Sequence, residues 1–242
     1  MTRVRRTERL TVSQPVLVVN ESTRVSDKDV QRVIPALQAQ ISEHFAPIWR
    51  SDATLSYVQG KPPLGHWVVG IFDNNDKAGA AGYHDLTPDG LPLGKVFAGT
   101  TIDTGGHWTV TLSHETLEML GDPGINMSVQ QADNVSFFAY EACDPCEDDQ
   151  FGYSIDGVML SDFVFPEWFG GVTGSQYDYN KKIDFAGELL ANGYIGVWTA
   201  GKGWTQKTGI LTKGDTRHRP QVGSRRERRR IGRGAWVRST YR

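Results

Sequence analysis

Five consecutive residues near the middle of the chain, His114-Glu115-Thr116-Leu117-Glu118, combine side chains that can bind a metal ion and move a proton. They nearly reproduce the pattern H-E-x-x-H, in which two histidines one helical turn apart bind zinc and the glutamate between them is a general base. Here Glu118 stands in place of the second histidine. Because residues i and i+4 project from one face of a helix, His114 and Glu118 could bind one ion with Glu115 beside it.

The same string also fits a helix that binds no metal. Histidine and glutamate at this spacing arise readily on the exposed face of any amphipathic helix. A site that has lost its activity and persists for structural reasons is a further alternative. The order of the preceding elements and a second acidic block downstream favour the metal site.

Strands and helices that could position the string are indicated by hydrophobic periodicity before it. Apolar and β-branched runs predict strands, and apolar residues at helical spacing predict a long amphipathic helix. A stretch rich in Gly, Asn, Asp and Pro predicts a long surface loop. The predicted order is strand 16–19, helix 27–45, strand 55–58, strand 67–72, loop 73–91, strand 95–102 and the motif helix 108–120.

The signals weaken after residue 125. Short strands or turns are predicted at 136–143 and 153–164, a brief helix at 185–190 and a strand at 194–198. The C-terminal half is therefore predicted to be rich in loops.

A family resemblance rests on the motif S-H-E-x-L-E-x-x-x-D-P, formed by Ser113, His114, Glu115, Leu117, Glu118, Asp122 and Pro123. In this motif and in two later blocks, 140–145 and 157–166, the chain resembles zincin-type metallopeptidases, and more narrowly a bacterial and phage group with the same motif. The likeness covers roughly residues 15–200. It implies an α+β fold, in which a mixed twisted sheet places an edge strand beside the motif helix. Residues 95–102 would be that strand and would pair with a substrate backbone.

The resemblance also implies a third metal ligand downstream, since a catalytic zinc site has three protein ligands and a water molecule. Glu141, 23 residues after Glu118, is the first candidate, and Asp122 and Asp144 are the alternatives. His84 is a candidate for orienting a substrate oxyanion. The expected cofactor is a divalent metal, zinc first, although two carboxylate ligands shift the preference toward manganese or calcium. The expected activity is hydrolysis of a peptide substrate.

Charge is distributed unevenly, although the net charge of the chain is only −2. Residues 1–9 carry a net charge of +3, residues 10–212 carry −14 and residues 213–242 carry +9. This division predicts a basic N-terminal arm (1–14), one zincin-like domain (15–212) and an arginine-rich C-terminal arm (213–242). The arginines expected to bind nucleic acid or an acidic neighbouring subunit are Arg225, Arg226, Arg228, Arg229, Arg230 and Arg233.

The basic arms motivate a second hypothesis for the function. In it, the chain is a catalytically inactive structural or assembly protein of a phage particle, and the arms attach it to neighbouring subunits or to packaged nucleic acid. Neither hypothesis involves a membrane. No apolar run in the sequence approaches the ~20 residues of a membrane span, which argues against a membrane protein. Residues 1–10 lack the apolar core of a secretory signal, which predicts a cytoplasmic protein or one incorporated in a phage particle.

Cysteine usage is sparse and confined to Cys143-Asp144-Pro145-Cys146. Two cysteines make no disulfide framework. A C-x-x-C pair can be a redox site or half of a zinc ribbon, but no second pair is present in the chain. We expect two reduced thiols beside the site.

Overall fold

A computed structural model describes residues 13–76, 80–170 and 176–211, which have a mixed α+β architecture. The strands are β1 (Ser13–Asn20), β2 (Asp52–Val58), β3 (Trp67–Phe72), β4 (Gly82–Leu86), β5 (Pro92–Phe97), β6 (Ser128–Gln130), β7 (Ser136–Ala139), β8 (Tyr153–Ile155), β9 (Val158–Leu160), β10 (Tyr194–Thr199) and β11 (Gly203–Thr208). The helices are α1 (Asp27–Ala39), α2 (Ala46–Trp49), α3 (Ala98–Asp103), α4 (Trp108–Gly121) and α5 (Pro166–Gly170).

A five-stranded mixed sheet has the order β2-β1-β3-β5-β4. The four strands β2, β1, β3 and β5 are parallel to one another, whereas β4 runs antiparallel to β5 and lies at the edge. Strand β1 is apolar on both faces: Val16 and Val18 contact one hydrophobic cluster, and Leu17 and Val19 contact another. Such continuous apolar runs are typical of parallel strands that are covered on both sides.

Helix α1 packs against the cluster that contains Val16 and Val18. Ser26 begins this helix with a capping box: its hydroxyl accepts a hydrogen bond from the backbone N–H of Asp29, and the carboxylate of Asp29 accepts one from the backbone N–H of Ser26. The helix continues through a π-helical segment, Gln40–Phe45, into α2. The side chain of Gln40 is fully buried at the start of this segment.

The motif helix α4 is buried on every side, since all residues from 112 to 120 are buried. It packs against β4, β5 and β9. Ser113 donates a hydrogen bond from Oγ to Gln40 Oε1 (2.6 Å) and accepts one from the backbone N–H of Ser161 (3.1 Å). Gln40 Nε2 donates in turn to the carbonyl of Ser161 (2.8 Å). These hydrogen bonds fix the position of α4 relative to the π-helical segment and to the chain that follows β9.

The C-terminal half contains a four-stranded antiparallel sheet, β11-β10-β7-β6, and the hairpin β8-β9. Its core includes Trp168 and Phe169 of α5 together with Ile195 of β10. Short elements joined by turns dominate this half. The prediction of a loop-rich C-terminal half is therefore confirmed for the described residues.

The predicted strand 95–102 is wrong in its second half, because β5 ends at Phe97 and α3 begins at Ala98. The backbone of α3 packs directly on the end of β3. A Cβ atom on Gly99 would collide with the carbonyl oxygen of Asp73, and the N–H of the next residue donates to that same carbonyl (2.8 Å). Sequence periodicity could not reveal this contact between distant segments.

The edge strand β4 lies within the segment predicted as a loop, 73–91. Its five residues, Gly-Tyr-His-Asp-Leu, are too short and too mixed in polarity to stand out among the turn-forming residues around them. Consequently β4, and not 95–102, is the edge strand beside α4. The predicted helix 185–190 is also wrong, since these residues form bends and turns.

The two basic arms are almost entirely outside the described residues, which begin at Ser13 and end at Leu211. Within the described residues, no helix is long and apolar enough to cross a membrane. The candidate arginines that lie outside the described residues are Arg225, Arg226, Arg228, Arg229, Arg230 and Arg233.

Substituting Ser113→Ala should destabilise the protein, because it leaves Gln40 Oε1 and the N–H of Ser161 without this buried partner. We expect the free energy of unfolding to fall by about 1–3 kcal/mol. Urea denaturation followed by circular dichroism measures this change. Ser56→Ala, on the exposed side of β2, is the matched control and should change stability by less than about 0.5 kcal/mol. Equal stability of the two variants would show that the network does not hold α4.

Candidate metal centre

Helix α4 carries three predicted site residues, His114, Glu115 and Glu118, into the protein interior, where all three are buried. The interpretation of the motif as the polar face of an exposed amphipathic helix is therefore wrong. Removing a carboxylate from water costs several kcal/mol unless a partner or a metal ion compensates for the lost hydration. The groups that surround Glu115 and Glu118 therefore show what could compensate for the lost hydration of their carboxylates.

His114 and Glu118 meet a third side chain, Asp144. The distance from His114 Nε2 to Glu118 Oε2 is 3.3 Å, and the distance from the same nitrogen to Asp144 Oδ1 is also 3.3 Å. One donor atom from each of the three residues lies within 4.8 Å of the other two. His114, the most exposed of the three, has only 11% of its side chain accessible to solvent.

Asp144 reaches the site because the loop after β7 is attached to α4 through Glu118. Glu118 Oε1 accepts hydrogen bonds from the backbone N–H groups of Cys143 (3.1 Å) and Asp144 (3.3 Å). These two amides lie at the start of the 3-10 turn Asp144–Cys146. Glu118 thus uses one oxygen to hold the loop and directs the other toward His114.

The two separations measured from His114 Nε2 fit the ligands of one divalent metal ion. With metal–ligand bonds of about 2.0–2.2 Å, neighbouring ligands of a tetrahedral shell lie about 3.3–3.6 Å apart. Charge-assisted hydrogen bonds are shorter, at about 2.7–2.9 Å between heavy atoms. The two 3.3 Å separations around His114 Nε2 match the first range better than the second. Three protein ligands also leave a fourth position for water or substrate.

Burial and the neighbouring charges shift the pKa of each of the three groups. Burial lowers the pKa of His114, but Glu118 and Asp144 outweigh it and raise that pKa well above its ordinary value. Burial raises the pKa of Glu118, but His114 and His84 bring it well below its ordinary value. Burial and the charge of Glu118 raise the pKa of Asp144 to about 7. The positive charge of protonated His114 therefore lies between the carboxylates of Glu118 and Asp144. A divalent cation bound there would supply positive charge in place of that proton.

His84 enters the same cluster from strand β4. Its Nδ1 lies 3.4 Å from Glu118 Oε2 and 3.7 Å from Glu115 Oε2. These three residues form a second group whose donor atoms lie within 4.8 Å of one another. On the other side of the ring, His84 Nε2 is buried, makes no hydrogen bond to the described residues, and lies 3.9 Å from Glu141 Oε2.

Close contact between β4 and α4 depends on Gly82. A Cβ atom at this position would come within 2.7 Å of Glu115 Oε1 and of Thr111 Cγ2. Only glycine lets the edge strand approach α4 without displacing these side chains. Gly82 therefore permits the approach that brings His84 to Glu115 and Glu118.

The remaining predicted site residues occupy different places. Glu141 lies beside His84 but belongs to neither group of three, whereas Asp144, named as an alternative, belongs to the group with His114. Asp122 follows α4, and its carboxylate accepts hydrogen bonds from the N–H groups of Asn126 (3.1 Å) and Met127 (2.9 Å). It shapes the turn that ends the motif helix and is in neither metal-binding group.

Sequence reasoning proposed His84 for a substrate oxyanion and missed its contact with Glu115 and Glu118. No signal in the sequence indicates this contact, because β4 and α4 are joined by a long stretch and meet only in the folded protein. Gln40 was also missed. The only sequence signal for it is a polar residue at an otherwise apolar position in the predicted helix 27–45.

Comparisons with protein-family models, with curated proteins and with solved structures find no match to this chain. The assignment of a function therefore rests on the residues of the site and on their arrangement.

Cys143 and Cys146 are both free thiols, and both are buried. Burial raises the pKa of each thiol well above its ordinary value. A thiol is nucleophilic only as the thiolate, so these cysteines are poorly suited to redox exchange.

The native protein should accordingly react slowly with a thiol reagent. At pH 8 we expect 5,5′-dithiobis(2-nitrobenzoate) to label less than about one tenth of the thiols within minutes, because little thiolate is present and both sulfur atoms are enclosed. In denaturant both cysteines should react at once, which gives the internal control. Rapid labelling of the native protein would contradict the buried, protonated state.

Proposed function

We propose that the protein is a zincin-like metal-dependent hydrolase that acts on peptide bonds. The observation that carries the proposal is that His114 Nε2 lies 3.3 Å from both Glu118 Oε2 and Asp144 Oδ1, in a group of three residues whose donor atoms lie within 4.8 Å of one another. The ligand set differs from the first expectation, since Asp144 takes the place foreseen for Glu141. Both carboxylates come from the part of the chain that resembles zincins.

The topology supports the zincin-like part of the proposal. The motif helix α4 packs beside a mixed sheet whose edge strand, β4, runs antiparallel to its neighbour. The resemblance implied such an edge strand beside the metal-binding helix. The described part of the chain offers β4 as the edge with which an extended peptide would pair.

Glu115 is the residue of the site best suited to move a proton. It is buried one residue after His114 and is outside the group formed by His114, Glu118 and Asp144. A bound divalent cation would supply Lewis acidity for a substrate carbonyl and would lower the pKa of a water molecule. The carboxylate of Glu115 would accept the proton of that water and pass it to the leaving amine.

Zinc is the first choice for the cation, because one imidazole and two carboxylate oxygens are all ligands that zinc accepts. Two carboxylates also suit manganese or calcium, which prefer oxygen ligands. Glu118 and Asp144 therefore make the site more anionic than a two-histidine site would be.

A second candidate function is a zincin-like protein that binds metal without turnover. The strong burial of the site favours it, since none of the side chains around Glu118 is more than 11% exposed and closed sites are typical of structural metals. In this version the basic arms would attach the chain to nucleic acid or to neighbouring subunits of a phage particle. The arms lie outside the described residues, so this part stays a prediction.

Replacing Glu115 with glutamine should separate metal binding from catalysis. Glu115→Gln keeps the size of the side chain but cannot accept a proton, so we expect hydrolysis to fall by about 10²–10⁴-fold. The assay uses protein loaded with one equivalent of Zn²⁺ and a mixture of synthetic peptides, with cleavage read by mass spectrometry. Zinc content, measured by elemental analysis, should stay near one equivalent.

The controls distinguish the two candidate functions. His114→Ala should lose activity together with the zinc ion held by His114, Glu118 and Asp144, whereas His66→Ala, on an exposed loop, should lose neither. Wild-type protein that binds zinc but cleaves no peptide would favour the non-catalytic candidate. Wild-type protein that binds no divalent metal would overturn both.

A further inference from the structure

The cluster around α4 offers a second group of metal ligands that the proposed function does not use. One donor atom from each of His84, Glu115 and Glu118 lies within 4.8 Å of the other two. The separations from His84 Nδ1 are 3.4 Å to Glu118 Oε2 and 3.7 Å to Glu115 Oε2. These values are close to the separations of about 3.3–3.6 Å expected between ligands of one divalent ion.

The two groups have Glu118 in common, and its Oε2 lies 3.4 Å from His84 Nδ1 and 3.3 Å from His114 Nε2. The other oxygen of this carboxylate accepts backbone hydrogen bonds from the loop before Asp144. Among the described residues, the donor atoms form two groups of three and not one larger group. A single ion therefore cannot bind both histidines, whereas two ions on either side of Glu118 Oε2 would use all five residues.

We propose that the protein binds two divalent transition-metal ions that share Glu118 Oε2. The first ion is held by His114, Glu118 and Asp144, and the second by His84, Glu115 and Glu118. Bonds of about 2.0–2.2 Å from one oxygen to both ions agree with the separation of about 3.5–4 Å found in two-metal sites. The second position lies between the edge strand β4 and the helix α4.

The environment of the His84 ring supports this second position independently. His84 is 4% exposed, and its Nε2 has no hydrogen-bonding partner among the described residues. A histidine that binds metal through Nδ1 carries its proton on Nε2, and such N–H groups usually face a carboxylate of the surrounding shell. The carboxylate of Glu141 lies on that side, with Oε2 3.9 Å from His84 Nε2. This arrangement gives Glu141 a role in orienting His84.

Occupation of the second position has a consequence for Glu115. A carboxylate that binds a cation is a weaker proton acceptor, so the second ion would compete with the role of Glu115 as general base. This consequence rests on the proposed function, whereas the binding of two ions does not require catalysis. The two positions have Glu118 in common, so loss of its carboxylate removes both ions.

Titration with Mn²⁺ tests the proposal directly. Full-length protein is freed of metal with a chelator, dialysed, and titrated with Mn²⁺ while electron paramagnetic resonance measures the free ion and the bound species. We expect two equivalents to bind and the second to produce an exchange-coupled spectrum, because the ions share one oxygen atom. His84→Ala should bind one equivalent with an uncoupled spectrum, and Glu118→Gln should lose both.

Two controls make the result specific to the cluster. His66→Ala, which removes an exposed histidine on a loop, should bind two coupled ions like the wild type. Circular dichroism should show that His84→Ala keeps its fold, and His84→Asn provides a polar replacement if the alanine variant is unstable. Both His84 variants should lose the same single equivalent.

Each other outcome has a definite meaning. One equivalent in the wild type, unchanged by His84→Ala, would overturn the second position and leave the proposed function standing. Two equivalents without coupling would overturn the shared oxygen. No bound Mn²⁺ and no bound Zn²⁺ would overturn both proposals at once.

Discussion

The carboxylate of Glu118 is the interaction on which the rest of the site depends. One of its oxygens accepts two backbone hydrogen bonds from the loop that carries Asp144, and the other faces both His114 and His84. A buried carboxylate is costly unless its lone pairs are used, and here the backbone amides and imidazoles use them. The same side chain therefore connects three parts of the fold: the motif helix, the edge strand and the acidic loop.

The surrounding fold supplies rigid support for this carboxylate. Helix α4 is enclosed on all sides, and Ser113 connects it to Gln40 and to Ser161 through buried hydrogen bonds. Strand β4 can approach α4 because Gly82 has no side chain to collide with Glu115. A site whose ligands come from a helix, a strand and a tethered loop needs all three held to within a fraction of an ångström. The hydrogen bonds of Ser113 and the close approach at Gly82 contribute to that constraint.

Part of this arrangement could be predicted from the sequence. Strands β1, β2 and β3 and helix α1 follow from apolar runs and apolar periodicity, although the parallel direction of the strands does not, and the choice of His114, Glu115 and Glu118 follows from their spacing on a helix. The third member of the first group could not be predicted in the same way. Glu141 and Asp144 are close in sequence, and only the 3-10 turn and the hydrogen bonds to Glu118 bring Asp144 to His114. Strand β4, which carries His84, could not be predicted either, because a short strand of mixed polarity resembles a loop in the sequence.

The replacement of the usual second histidine by Glu118 has a structural explanation in these contacts. A metal-binding imidazole offers one nitrogen to the ion, and its other nitrogen carries a proton, so it cannot accept hydrogen bonds from backbone amides. Glu118 accepts two such bonds with Oε1 while Oε2 stays directed toward both histidines. A histidine at this position would leave the amides of Cys143 and Asp144 without this acceptor and would separate the loop from α4. Glu118 therefore replaces the second histidine of H-E-x-x-H at a position where its carboxylate is needed to hold Asp144 beside His114.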